Sequence, residues 1–317
     1  MAEDWGLIGV IVGLLSAATV AGRWLAAREE SVQLDERVIR DFNRRVNGWW
    51  FFSIVVALSF LSPNLTVLAF GLVSFWALRE FITLTPTRGG DHRALFWVFF
   101  LFTPLQFVLV AADSYATYSI LIPVCGFLFV SARVALSGDY HRFLERVAKI
   151  QFGMLVCVYC LSFAPALLFL KCRNMTGTQT NARLLVFFVS MVLFSELLQF
   201  VCGRAFGKHG ISDAVDSSRT WEGLLSAAAG TTLLGIALTW ATPFPRWWQT
   251  AFMSLMISVT SSAGALTVSA IRRERREATA GYIAAGQGGV LGRIDAVCFS
   301  APVFYHVTDY FFGVRFG

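Results

Sequence analysis

The chain has 317 residues, of which 56% are hydrophobic and 15% charged, with 30 Phe and 10 Trp and a formal charge of +6. A soluble domain carries about 25% charged residues. This sequence has too little polar surface to coat a water-soluble globule of its size, and its composition is that of a chain solvated by lipid. In such a chain Lys and Arg report topology and head-group contact, so the basic balance implies no nucleic-acid partner.

The first apolar run starts near Leu7, after Glu3 and Asp4 and with no basic residue before it. That pattern predicts a retained first span rather than a cleaved signal peptide. A helix needs about 20 apolar residues to cross the hydrocarbon core. On that rule spans are expected at residues 6–25, 48–62, 64–79, 94–112, 116–135, 150–170, 183–203, 223–242, 249–271 and 290–312. The second and third are separated only by Ser62, Pro63 and Asn64, which read as a tight turn. Backbone groups in lipid must be satisfied within the segment, so the spans are helices. The expected fold is an all-α polytopic membrane bundle of about ten transmembrane helices. Residues 1–182 are expected to form an N-terminal set of helices, and 183–317 a C-terminal region.

Basic residues crowd alternate loops. They include Arg23, Arg28, Arg37, Arg40, Arg44 and Arg45, then Arg79, Arg88 and Arg93, then Arg133, Arg142, Arg146 and Lys149, then Arg204, Lys208 and Arg219, then Arg272, Arg273, Arg275, Arg276 and Arg293. By the positive-inside rule these loops are cytoplasmic. The loop with Lys171, Arg173 and Arg183 departs from the pattern. Residues 29–47 and 137–149 mix apolar side chains with dense charge; each reads equally as an interfacial helix or as a solvated connector. The six cysteines are Cys125, Cys157, Cys160, Cys172, Cys202 and Cys298. Cys157 and Cys160 form a C-x-x-C inside an apolar run, with no second pair or nearby His to complete a zinc site. They read as small buried helix residues.

Ionisable residues inside spans are functional candidates by default. Glu196, near the end of the seventh span, is the clearest; it needs a metal, a proton or a cation such as an arginine of the next loop. That loop runs Gly203-Arg204-Ala205-Phe206-Gly207-Lys208-His209-Gly210 and leads to Arg219-Thr220-Trp221-Glu222-Gly223. Glycines admit close backbone approach, and cations suit a phosphate. Thr220 is placed to cap the next helix. The last loop carries Arg272 and Arg273, then Gly288 and Gly289, then Arg293 and Asp295 at the start of the final span. Glu196, Glu222 and Asp295 are expected on one face of the membrane, which a metal–nucleotide site requires.

These strings together resemble a known family. Ser195-Glu196-Leu197-Leu198-Gln199-Phe200, followed by Gly203-Arg204 and Phe206-Gly207-Lys208, is similar to the S/N-D-x-x-Q-Y-x-x-G-K-x-F-G-K of phosphatidate cytidylyltransferases. Arg219 to Gly223 resembles their S-P-x-K-T-x-E-G, and the last loop resembles their S-x-x-K-R, G-H-G-G and D-R-x-D elements. The resemblance covers residues 183–312. It implies synthesis of CDP-diacylglycerol from CTP and phosphatidate with Mg²⁺. Glu196 and Asp295 would be the metal ligands, catalytic together with Arg293. Lys208, Arg219, Glu222, Arg272, Arg273, Gly288 and Gly289 would hold the nucleotide and its phosphates.

The sequence also departs from the pattern. Glu196 replaces an Asp, Asp216 and Ser217 replace S-P, and Arg219 replaces a Lys. Ala278 and Thr279 replace K-D, Gln287 replaces a His, and Gly292 replaces an Asp. Two alternatives follow: an eroded homologue that binds lipid or CTP without turnover, and a CTP-dependent lipid-alcohol kinase, whose family the C-terminal organisation also resembles. The expected partners are CTP, phosphatidate and the bilayer, with a homodimer left open. The expected location is a bacterial inner or plasma membrane, with the site loops cytoplasmic.

Overall fold

The computed structural model describes residues 55–85, 88–172, 178–212, 214–278 and 289–313, with isolated positions between 9 and 53. Most of the first expected span, the start of the second and the 29–47 segment apart from Val46 lie outside the described residues; residues 55–60 of the second are helical. So do Asp213, Gln287 and Gly288 of the loops.

The described chain is a bundle of eight helices with one small hairpin: α1 (Pro63–Leu84), α2 (Gly89–Ala111), α3 (Tyr115–Ala135), α4 (Phe143–Phe169), α5 (Thr178–Phe206), β1 (Gly210–Ser212), β2 (Asp216–Thr220), α6 (Trp221–Ala237), α7 (Trp247–Ala278) and α8 (Leu291–Phe312). Six of these helices, α1 to α5 and α7, are long and apolar enough to cross a bilayer. They coincide with six of the ten expected spans. At 17 residues α6 is shorter, and α8, 22 residues long, carries Arg293, Asp295 and Asp309. Both begin within two residues of the expected positions.

Pro63 opens α1, where its missing N–H costs nothing, and the helix then continues past Arg79 and Glu80 to Leu84. The turn expected at Ser62–Asn64 is therefore the start of α1 itself, with Ser62 at its N-cap. The segment 137–149 is not a separate interfacial helix. Its second half, from Phe143, is the first two turns of α4, because Arg146 turns inward and pairs with Asp91.

Prolines inside the bundle are accommodated by neighbouring side chains. Pro123 lies in a widened turn of α3, Leu121–Gly126, where backbone bonds step back five residues. The carbonyl that its missing N–H would have reached is that of Tyr118. The Gln106 amide of α2 donates to that carbonyl at 3.1 Å, and also to Ser162 Oγ of α4 at 3.0 Å. In hydrocarbon an unmade backbone bond costs several kcal/mol, so this contact ties α2, α3 and α4 together. All six cysteines are free thiols; Cys157 is buried and Cys160 half-buried.

The C-terminal helices pack through small residues. α7 lies along α8, and α6 along both α5 and α7. A Cβ at Gly223 of α6 would fall 2.9 Å from the Gln199 carbonyl and 3.0 Å from the Gly203 Cα of α5. A Cβ at Gly264 of α7 would fall 2.6 Å from the Asp295 carbonyl of α8. Without these glycines the helices could not approach closely enough to share side-chain hydrogen bonds.

Candidate functional site

The ends of α5 and α7, the starts of α6 and α8, and the hairpin meet at the basic end of the bundle. Contacts between α5 and α7 set their direction. Ser195 bonds Ser258 at 2.7 Å, Gln199 donates to Ser262 at 2.8 Å, and Ser269 donates to Asp216, just past the end of α5, at 3.0 Å. Numbers rise together, so α5 and α7 run parallel and both finish at this end. α8 starts here and runs back: Gly292 lies against Arg272, and Asp295 lies against Gly264. Glu196 and Asp295 therefore occupy the same half of the bundle on neighbouring sides of α7. Glu196 is the deeper by roughly 5–8 Å along the axis, at 1.5 Å per residue.

Arg219 organises the first part of the site. It sits on β2, is 7% exposed, and reaches back over the end of α5. Its Nη1 donates to Gln199 Oε1, its Nη2 lies 3.7 Å from Glu196 Oε1, and its Nε lies 3.7 Å from Asp216 Oδ2. Two carboxylates thus share one guanidinium. Glu196 is 8% exposed, a burial tolerable for a carboxylate only with such a partner. Asp216 also accepts from the Ser218 hydroxyl at 2.6 Å and amide at 3.0 Å. Burial alone would raise the Asp216 carboxyl. The Ser218 bonds and the Arg219 charge outweigh it and hold the group below the usual carboxylate range.

The hairpin is held to α6 by local bonds. Thr220 caps the helix as expected, its Oγ1 accepting from the Gly223 amide at 3.2 Å. Glu222 in the first turn accepts from the His209 amide at 3.3 Å and contacts the His209 ring at 2.6 Å. Glu222 is thereby turned to His209 rather than to Glu196 or Asp295. Lys208, the neighbour of His209, is exposed.

The second part lies where α7 ends and α8 begins. Arg272 and Arg293 are half-buried, and Arg273 is exposed. Asp295 is 7% exposed and accepts from the Ala296 amide of its own helix at 2.8 Å. Gly289 admits the carboxylate of Glu80 from α1, which takes the Leu291 amide at 3.1 Å and lies 3.6 Å from Arg272. Reading the sequence did not single out Glu80; its partners are some 200 residues away. Nor did it single out Ser258 and Ser262, whose four-residue spacing on an apolar helix was the available signal; Ser269 it placed only as the first residue of the S-x-x-K-R-like string.

Among the described residues, Nε of Arg219 and Nη2 of Arg272 are buried guanidinium donors without a hydrogen-bond partner. Buried guanidinium N–H groups left open in this way are what an anionic ligand would satisfy. Among the described residues no group of three His, Cys, Asp or Glu is placed to hold a metal ion by itself. Mg²⁺ takes only one or two carboxylates from protein when phosphates and water complete its shell. The donor set therefore fits an ion that arrives with a polyphosphate, not a closed cage.

Residues 42–311 match the Cytidylyltransferase family. Over 305 residues the chain is 29% identical to the Escherichia coli (strain K12) protein called Uncharacterized protein YnbB, covering 96% of this chain and 97% of that one. It is 31% identical to a phosphatidate cytidylyltransferase of Synechocystis over 113 residues, 35% of this chain and 38% of that protein. A phosphatidate cytidylyltransferase of Brucella abortus is 24% identical over 239 residues, covering 75% and 81% of the two chains.

Proposed function

Because the chain belongs to the cytidylyltransferase family, we propose that it transfers the cytidylyl group of CTP to phosphatidate, forming CDP-diacylglycerol and releasing pyrophosphate. The observation that carries this reading is the meeting, at one end of a membrane bundle, of three carboxylates with two guanidiniums that each keep a buried open donor: Glu196, Asp216 and Asp295 beside Arg219 and the half-buried Arg272. The match to two phosphatidate cytidylyltransferases supports the choice of substrates.

A phosphate oxygen of phosphatidate attacks the α-phosphorus of CTP, and the bond from that phosphorus to the bridging oxygen of the β-phosphate breaks. The attacking group is already an anion, so no base is required. The barrier is like-charge repulsion between the two substrates, and the protein must place cations where charge accumulates. Arg219 and Arg272 serve this purpose with fixed N–H forks, and Arg293, Arg273 and Lys208 add positive charge around them. Glu196 and Asp295 are the residues that would hold Mg²⁺, which when bound offsets the charge of the departing pyrophosphate. Asp216 and Gln199 keep the Arg219 fork oriented. Glu222, bonded to His209, holds the hairpin against α6, and Gly289 leaves room for the Glu80 carboxylate at the start of α8. The diacyl tails remain in lipid while the head group enters from the interface. The basic end faces the cytoplasm, where CTP is found, in a bacterial inner or plasma membrane.

The test is incubation of the purified protein with CTP, Mg²⁺ and phosphatidate. Pyrophosphate and CDP-diacylglycerol should appear together and vanish in Glu196→Ala and Asp295→Ala. Turnover equal in wild type and both variants would sink the assignment. Release of CDP from a lipid alcohol would redirect it to phosphoryl transfer.

A further inference from the structure

The carboxylate of Glu80 joins the N-terminal half of the bundle to the start of α8. It stands near the basic end of α1, its side chain 20% exposed. One oxygen accepts the Leu291 amide at 3.1 Å, an N–H that the first turn of a helix cannot satisfy internally. The other lies 3.6 Å from Arg272 Nη2, a buried donor that makes no hydrogen bond among the described residues. The chain is shaped around this arrangement. A Cβ at Gly289 would overlap the Glu80 carboxylate, and a Cβ at Gly292 would overlap the Arg272 guanidinium. Both glycines thus leave room for a charge pair that spans α1, α7 and α8.

We propose that Glu80 is a positioning residue of the site, which acts through Arg272 and the first turn of α8. Its charge aims the Arg272 fork while leaving Nη2 available to a phosphate. Its bond to Leu291 fixes the depth of α8, and with it Arg293 and Asp295 within the next turn. A negative charge at a helix N-terminus is favourable in itself. Here the same carboxylate also neutralises a half-buried cation, so both helix ends are referred to one point on α1. The role in phosphate binding rests on the nucleotidyl-transfer reading; the three-way contact does not.

Gly292 supplies the means of testing it. A carboxylate carried on residue 292 would grow from α8 toward the same guanidinium, the movable far end of a long side chain. Glu80→Gln keeps an acceptor for Leu291 but loses the charge opposite Arg272. It should raise the KM for CTP about tenfold, the loss expected for one charge-assisted hydrogen bond, and leave kcat nearly unchanged. Glu80→Gln/Gly292→Asp should return the KM to within about threefold of wild type. An unchanged KM in Glu80→Gln, or a loss that Gly292→Asp leaves uncorrected, overturns the positioning role.

A second measurement is independent of the reaction. In full-length protein in detergent, Glu80→Gln and Arg272→Gln should lower the unfolding temperature by less together than the sum of their separate effects. Additive shifts overturn the inference. If wild type makes no product from CTP and phosphatidate, the reaction reading fails while this cycle still decides whether Glu80 and Arg272 act as one unit.

Discussion

Arg146 and Arg219 are both buried at the basic end, 5% and 7% exposed, yet their surroundings differ. Arg146, on α4, has its fork filled. Nε donates to both Asp91 oxygens at 2.9 and 3.1 Å, Nη2 reaches Asp91 at 2.5 Å, and Nη1 reaches the Asp139 and His141 carbonyls at 2.9 and 3.2 Å. Arg219 faces two carboxylates, each only at 3.7 Å, and its Nε makes no hydrogen bond among the described residues. A saturated buried arginine fastens loops to a helix and offers nothing to a ligand. One that is charge-balanced but donor-open is ready for an anion. The same residue type is thus a staple in the N-terminal half and, on the proposed function, a ligand-facing group in the C-terminal half.

That contrast can be broken by substitution. The largest effect is expected for Asp91→Ala, which strands the Arg146 charge in the interior. Thermal or denaturant unfolding in detergent should show a loss of about 3–5 kcal/mol, with nucleotide turnover per folded molecule unchanged. A mild loss of stability would mean that Arg146 finds other partners and is no staple. Next is Arg219→Lys, which keeps the charge but not the planar fork. Turnover of CTP should fall on the order of 10²-fold, while the unfolding temperature moves less than in Asp91→Ala. If instead stability collapses and the folded fraction retains full activity, the two arginines share one structural role.

The smallest effect concerns pH. The folded Asp216 carboxyl is held below its unfolded value of about 3.9. A lowered folded value contributes stability above the unfolded one, and that contribution is lost as pH falls through the folded one. The stability gap between wild type and Asp216→Asn should therefore be full near neutral pH and close below about pH 4. Melting curves recorded from about pH 6 to about pH 3 would reveal it; a gap that widens on acidification would reverse the assigned sign.

Much of this architecture could be read from local pattern. The apolar runs that predict spans in 64–79, 94–112, 116–135, 150–170, 183–203 and 249–271 are helices long and apolar enough to cross a bilayer. The Thr220 cap was legible because the cap and its amide are three residues apart. The pairing of Glu196 with an arginine of the next loop was one of the alternatives that an isolated carboxylate admits, and Arg219 is that arginine. Helix ends were less legible. α1 continues past the expected end at residue 79, through Arg79 and Glu80 to Leu84, and Glu80 is stabilised there by Leu291 and Arg272, which no window along α1 contains. The hairpin Gly210–Thr220 escaped notice because its strands of three and five residues carry no apolar alternation. α4 began earlier than hydropathy suggests, because Arg146 is neutralised by Asp91, 55 residues away.

Hydropathy, basic-loop spacing and caps act within a turn or two of helix, so the primary structure alone set where the chain enters lipid and which ends are basic. The choice of partner for each buried charge lay beyond its reach. Whether Glu196 meets Arg219, or Glu80 meets Arg272, depends on which helix faces come into contact and how closely. Glycines at 203, 223, 264, 289 and 292 control that approach only once the helices are packed. In a low-dielectric interior each such pairing is strong enough to decide what a side chain can do, and it is made by neighbours that are distant in the chain.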